Sequence, residues 1–422
     1  MERNLRWNFG AAVIDAAGWG VGMSLISATT ILPLFVRELT PSPVAVGMIQ
    51  AVMLFGWLVP GILVSGWVDR LPRVKRSVMY IAALERSMLL LMVPLCLWLG
   101  GADRPALLLA FFACWGVMNL GMGANTPGYY KLIAKTIPAS HRGRLYGIGG
   151  AVSGVLGMAA ALPAGWFLAE WGFPQGYAAC FAAAFVAQAL TVLPLAFLRE
   201  ETQPAESTPD PIQPWKAVAL VREDRRLFWI LLALGAFSLN LMVGGFYTLY
   251  AIERFAVSGE TVAKLFTAAT MAGRTVGFLL TGWLGDRFGN RSALRWATVA
   301  WVAAPACALG GPTLPWVYAA LVLNEVATQG WSVCSMNYVL ELCPPERSAK
   351  YTAVFALISG PFRILLPLAC GTLVEAAGFA PIFAAAAVGA GAALVLLLIR
   401  VPEPRFEPEA RAARPHPALA EE

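Results

Sequence analysis

Charge is scarce in this chain. Lys, Arg, Asp and Glu make up 13% of its 422 residues, about half the share of an average soluble domain. So little charge cannot clothe a water-facing exterior, which excludes a soluble globular protein. Histidine is scarcer still: there are two, His141 in a charged segment and His416 near the end, and no HExxH pair. That removes the usual acid–base and zinc constellations, so no enzyme, no metal and no other cofactor is expected. The seven cysteines, at 96, 114, 180, 307, 334, 343 and 370, are dispersed without CxxC spacing. They read as small buried hydrophobes and not as disulfide or thiolate partners.

What abounds is apolar surface, with 58% of residues hydrophobic. The few charges fall in short clusters, leaving stretches close to the roughly 20 residues a helix needs to cross a bilayer. Twelve can be drawn. They run Phe9 to Val36, Val44 to Val68, Ser77 to Leu99, Ala106 to Tyr129, Leu145 to Ala169 and Gly176 to Leu198, then Leu227 to Ile252, Thr261 to Leu284, Ser292 to Leu309, Leu314 to Tyr338, Tyr351 to Glu375 and Gly378 to Ile399. The first is too long for a secretory signal and lacks its cleavage site, so it is expected to remain as span 1. The expected fold class is an all-α integral membrane protein with twelve transmembrane helices.

Placing the N-terminus and the loops after spans 2, 4, 6, 8 and 10 on one side collects Arg70, Arg73, Lys75, Arg76, Lys131, Lys135, Arg142, Arg144, Arg287, Arg291 and Arg295. The opposite loops hold Arg37, Arg104, Arg254 and Lys264. The positive-inside bias then puts both termini in the cytoplasm of a multi-pass protein of the cell membrane. The net charge of +6 is accounted for by this topology and implies no nucleic acid partner.

The polar, proline-rich segment Gln203 to Pro214 reads as an extended linker. Trp215 to Arg226 suits a short helix on the cytoplasmic surface. The expected organisation is a bundle of six helices over 1–200, a cytoplasmic linker over 201–226, a second bundle over 227–400 and a disordered cytoplasmic tail over 401–422.

The two bundles repeat. At an offset of 217, Arg37 falls on Arg254 and Asp69-Arg70 on Asp286-Arg287. Later the offset is 206, where Pro138 falls on Pro344, Ser153-Gly154 on Ser359-Gly360 and Gly165 on Gly371. Both halves keep the same orientation, a parallel repeat about an axis along the membrane normal.

The duplicated loops carry a recognisable pattern. Gly282, Asp286, Arg287, Gly289 and Arg291 resemble the loop signature of the major facilitator superfamily, and the first copy keeps Asp69, Arg70 and its basic run with Ser65 and Pro72 at the glycine places. The resemblance implies two pseudo-symmetric bundles that rock about a central cavity lined by spans 1, 4, 7 and 10. It also implies that Asp69, Arg70, Asp286 and Arg287 latch a cytoplasmic gate; an aspartate at a helix end suits such a switchable contact.

Charges inside spans cost at least about 2.5 to 3.5 kcal/mol at mid-bilayer, so they face partners or water. Arg274, Glu325 and Arg363 lie about midway along spans 8, 10 and 11, and Asp15 is shallower in span 1. Asn119 is the repeat mate of Glu325, and Asn240 and Asn324 add amides in cavity-lining spans. The candidate substrate site is therefore Asn119, Asn240, Arg274, Glu325 and Arg363, with Glu325 favoured over its neighbour Asn324 for its charge. If Glu325 pairs with one arginine, the other is free to meet an anionic or zwitterionic group; a closed Arg–Glu–Arg network is the alternative. Asp15 is the candidate proton carrier. Glu85-Arg86 in span 3 reads as a structural pair, with Arg86 able to neutralise Asp15.

The glycines of span 5, Gly147, Gly149, Gly150, Gly154 and Gly157, partly resemble the family's antiporter signature, which implies export by proton antiport. The expected function is a proton-coupled secondary transporter of a small solute, acting as a monomer in the lipid bilayer. The alternative is a lipid or lysolipid flippase on the same fold.

Overall fold

A computed structural model describes residues 4–200, 221–222, 224–241, 243–342 and 348–401. The expected linker up to residue 220 and the tail beyond Val401 lie outside them, as does most of the surface helix expected before span 7. Every regular element among the described residues is helical.

Twelve spans are present, with ends that differ from expectation by a few residues. Span 2 is Pro43–Asp69, span 3 Lys75–Leu99 and span 4 Arg104–Thr136. Spans 5 and 6 share the stretch Ala139–Ala196, which turns back at Gly172. Gly172 has φ 56° and ψ −155°, a backbone region open to glycine and strained for other residues. Spans 9, 10, 11 and 12 are Asn290–Gly310, Leu314–Leu342, Ser348–Ala377 and Phe379–Ile399.

Spans 1 and 7 depart from the continuous helices expected. Span 1 is Leu5–Leu25 followed by Ile31–Leu39, separated by an irregular turn at 26–30. Span 7 is Arg225–Phe237, a 3-10 turn Ser238–Leu241, and Gly244–Phe255. In span 1 the run Ser27-Ala28-Thr29-Thr30 precedes Pro33. Hydroxyl side chains compete for the backbone, and proline cannot donate to the preceding turn, so the helix restarts there. Span 8 starts at Gly259, passes one π turn at Val262–Phe266 and ends at Phe288.

Side chains cap the starts of spans 4, 7 and 8. Asp103 accepts from the Ala106 amide at 2.9 Å to start span 4. Asp224 accepts from Arg226 and Leu227 to start span 7, and Ser258 accepts from Thr261 to start span 8. Within each half the spans approach through small residues, the usual means of packing where lipid removes a hydrophobic drive. A Cβ on Gly123 of span 4 would sit 1.9 Å from the Gly56 carbonyl of span 2, so those two backbones touch.

The halves meet along two seams, span 2 with span 11 and span 5 with span 8, which the repeat interconverts. A single apolar core crosses both halves on the side away from the termini, joining Phe35, Phe111, Phe181, Tyr247, Phe266 and Phe383. On the terminus side the cores are separate. One cluster holds Leu227, Trp301, Trp331, Tyr338 and Leu397 of the second half, and two others hold first-half residues alone. Among the described residues the apolar core is thus shared by the halves on the far side and separate in each half on the side of the termini.

Candidate functional site

The helix breaks sit at the junction between halves. At the 217 offset the break of span 1 and that of span 7 fall within a few residues of each other, so the interruption is itself repeated. Backbone groups freed inside an apolar layer need internal partners. Here the Gln50 amide donates to the Ala28 carbonyl at 3.2 Å, and the Thr248 hydroxyl of span 7 donates to the Thr29 carbonyl at 2.7 Å. The Thr30 and Thr267 hydroxyls meet at 2.7 Å across the halves. At the far surface Arg37 pairs with Glu253 at 3.1 Å. These residues close the far side, and sequence reasoning passed over all but Arg37. The signal available was the hydroxyl run at 27–30, which a count of charges ignores.

Asn324 belongs to the same junction: its amide nitrogen and Thr29 both border Gly244, the first residue of the second piece of span 7. Its Oδ1 is buried and unpartnered. Asn240 is directed elsewhere, donating to the Ala386 carbonyl of span 12 at 2.8 Å and so tying the span 7 break into its own half. Asn119 is fully buried, donates to the Trp115 carbonyl one turn back at 2.7 Å, and lies against Gly56 of span 2. Each donates to a backbone carbonyl, and the Oδ1 of each is buried without a hydrogen-bond partner.

Helical geometry orients those two charges. On span 8, Met271 and Thr275 border Gly157 and Gly154 of span 5 across the seam, while Gly273 and Gly277 border span 10. At 100° per residue, Arg274 falls on the arc between those two faces, away from the exposed Val276 and Leu279. On span 10, Val322, Val326 and Gln329 border span 8, Asn324 borders span 7 and Gly330 borders Ala297 of span 9. Glu325 falls on the arc between spans 8 and 7, opposite span 9. Arg274 therefore addresses the space between the halves, whereas Glu325, whose Cβ borders Gly273 of span 8, is buried on the side of span 10 that faces spans 7 and 8. Gln329, one turn further along span 10, and the charge of Arg274 both act on the Glu325 carboxylate. The side chain of Arg363 lies outside the described residues.

A second charged group is enclosed in the first half. Arg86 donates to Glu85 Oε1 at 2.8 Å, to the Ala82 carbonyl at 3.1 Å and to the Gln188 carbonyl of span 6 at 3.0 Å. Its other terminal nitrogen is 4.0 Å from Asp15 Oδ1, and Tyr129 of span 4 hydrogen-bonds Asp15. Asp15, Glu85 and Arg86 are all buried. Asp15 thus faces the interior of its own bundle between spans 3, 4 and 6 and does not join Glu325 and Arg274. The expected Asp15–Arg86 approach is present, and Glu85 completes it.

The Major Facilitator Superfamily model matches residues 11–273 and 242–421, essentially the whole chain. The chain belongs to the major facilitator superfamily. Solved transporters share the fold of this facilitator. A bacterial homologue of the human lysosomal transporter Spinster, inward-facing and unoccupied, is 18% identical over 98% of each chain with a TM-score of 0.64. A D-xylose-proton symporter is 15% identical over 94% of this chain and 98% of its own, with a TM-score of 0.68. The nucleoside transporter NupG is 15% identical over 93% and 96%, with a TM-score of 0.65. A sequence search of curated proteins gives no significant match.

The facilitator's signature loops lie at the terminus side, where the described apolar cores of the two halves are separate. Arg70, Asp286 and Arg287 are exposed, and Arg287 rests over the rings of Trp283 and Phe288 at 5.7 and 5.6 Å. Asp69 ends span 2, with its side chain outside the described residues. As a member of this family the protein is a multi-pass membrane transporter, and its closed far side and divided terminus side fit one stage of alternating access.

Proposed function

We propose that this facilitator is a secondary active carrier of a small anionic, zwitterionic or amphipathic solute across the cytoplasmic membrane. It works as a monomer with both termini in the cytoplasm, is coupled to protons through Asp15, and exports by antiport. The observation that carries the reading is the pairing of a far-side core common to both halves with separate terminus-side cores. That arrangement supports a cleft open toward the termini, which in our reading has Arg274 and its neighbour Glu325 on its walls. A guanidinium beside a carboxylate in such a cleft suits recognition of a carboxylate or zwitterion, since arginine matches carboxylate and phosphate bidentately. Arg363 is the third member of this site in our reading, while Asn119 and Asn240 support its walls.

In the same reading, Asp69, Arg70, Asp286 and Arg287 engage across the terminus side once the halves close there. Their exposure in the open arrangement is what supports this. Asp286→Asn should then lengthen the terminus-open state.

Thermal stabilisation of the purified protein by organic anions, amino acids, sugars and amphipathic drugs tests the substrate class, because a ligand that binds only the folded state raises its stability by mass action. We expect the stabilising anions to lose their effect in Arg274→Gln. Equal stabilisation of Arg274→Gln and the parent would overturn the proposed site. Translocation of a lysolipid in vesicles, with none of the solutes stabilising, would favour the flippase instead.

A further inference from the structure

Two carboxylates and one guanidinium share the enclosed cluster of the first half. With all three ionised, the group carries one uncompensated negative charge in a bundle interior where charge is expensive. The unpaired capacity is visible in the hydrogen bonding. Asp15 Oδ1 and Glu85 Oε2 are buried without a hydrogen-bond partner, and so are both terminal atoms of the Gln188 side chain. Arg86 holds Glu85 through Oε1, which leaves Oε2 beside Gly121 of span 4. Around the cluster, span 1 offers Asp15, span 3 Glu85 and Arg86, span 4 Tyr129, and span 6 the uncharged Gln188 and Thr191.

The second half has no equivalent. The repeat mate of Asp15 is Leu232, and the part of span 9 that the two offsets match to Glu85-Arg86, residues 291–303, contains no carboxylate. Trp301 stacks there on Trp331 at 5.9 Å, and Trp331 donates to Thr298 at 2.8 Å. Packing alone therefore suffices for this position in the fold, and the first half carries the charged version for another reason.

We infer that Asp15 and Glu85 share a single proton across Arg86, so that the coupling group of this carrier is a carboxylate pair confined to the first half. The inference rests on the proton-coupled reading above and extends it to a residue that a structural pairing with Arg86 would leave idle. On loading, a proton from a hydronium ion in the water of the terminus side is delivered to Asp15 Oδ1 or Glu85 Oε2. One O–H bond forms, a water molecule is left behind, and the cluster goes from a net charge of minus one to zero. Unloading reverses the transfer, and no electrons change hands. Arg86 stays in place in both states, held by the Gln188 and Ala82 carbonyls.

Infrared spectroscopy of the reconstituted full chain during a pH titration reads this directly, through the C=O stretch of a protonated, buried carboxyl group. The protein is labelled with carboxyl-13C aspartate or with carboxyl-13C glutamate in a Glu325→Gln background, which silences the buried glutamate near Arg274. We expect one protonated carboxyl band per chain, part of which shifts with each label, and its loss in Glu85→Gln as well as in Asp15→Asn. A band that shifts with the aspartate label alone overturns the sharing and leaves Asp15 as sole carrier. A band that shifts with glutamate alone overturns it equally. Absence of a band at any pH removes the inference together with proton coupling at this site. Because the labelled protein keeps both cluster carboxylates, the decision does not depend on either variant folding.

Discussion

The far-side closure can be weakened without touching the cleft, and the expected size of the effect follows from three contacts. Thr248→Val removes the hydroxyl that serves the Thr29 carbonyl, Thr267→Val removes the partner of Thr30, and Arg37→Gln removes the ion pair to Glu253. Threonine to valine keeps side-chain shape, so packing in the shared core is preserved. A buried hydrogen bond contributes about 1 kcal/mol net. The ion pair, with side chains 32% and 35% exposed, is discounted for solvent to about 0.5 kcal/mol. The triple variant should then favour the far-side-open arrangement by about 2.5 kcal/mol, or roughly 70-fold in the population ratio, since about 1.4 kcal/mol is tenfold. Spin labels on cysteines placed at Pro41 and Val257, in a background with the native cysteines replaced by alanine, report the distance across the far-side seam. The longer-distance population should rise in the triple variant and rise less in each single one. An unchanged distance distribution, accompanied by a lower melting temperature, would refute the reasoning, because the contacts would then hold the fold together and not the state.

Two further outcomes follow from packing and capping. Gly123→Leu drives a side chain into the Gly56 carbonyl of the neighbouring span, and since neither backbone can yield, it should lower the melting temperature by several degrees or prevent folding; Gly101→Leu, where a Cβ meets open space, should leave it unchanged. Asp103→Ala removes the cap of span 4 at a cost of about 0.5 to 2 kcal/mol, and Asp103→Asn, which keeps an acceptor, should recover most of it in a thermal unfolding scan.

Much of the architecture was legible before any coordinates. Apolar length fixes the number of crossings, because a helix in lipid satisfies its own backbone and needs about 20 residues to do so. The repeated Asp69-Arg70 and Asp286-Arg287 loops revealed the duplication and, with it, the family. Intramembrane charge also gave notice of Asp15, Glu85, Arg86, Arg274 and Glu325, since an ionic group in that layer calls for a partner or water. The interruptions of spans 1 and 7 were missed. Hydropathy averages over a window, and threonine and serine are too weakly polar to lower it, so the run at 27–30 stayed hidden inside an apolar stretch.

What the sequence determined by itself is the list of crossings, their order and the charges that must be accommodated, all of them properties of single segments set against an apolar solvent. Tertiary structure decided how those charges are grouped. Asp15 and Glu85 come from different spans and meet through Arg86 inside one bundle, whereas Arg274, whose charge acts on Glu325, is turned toward the space between bundles. That division depends on which face each helix presents once glycine contacts such as Gly273 against Val322 have set its rotation. No linear spacing encodes a rotation, because it is fixed by the fit of two surfaces that lie far apart along the chain.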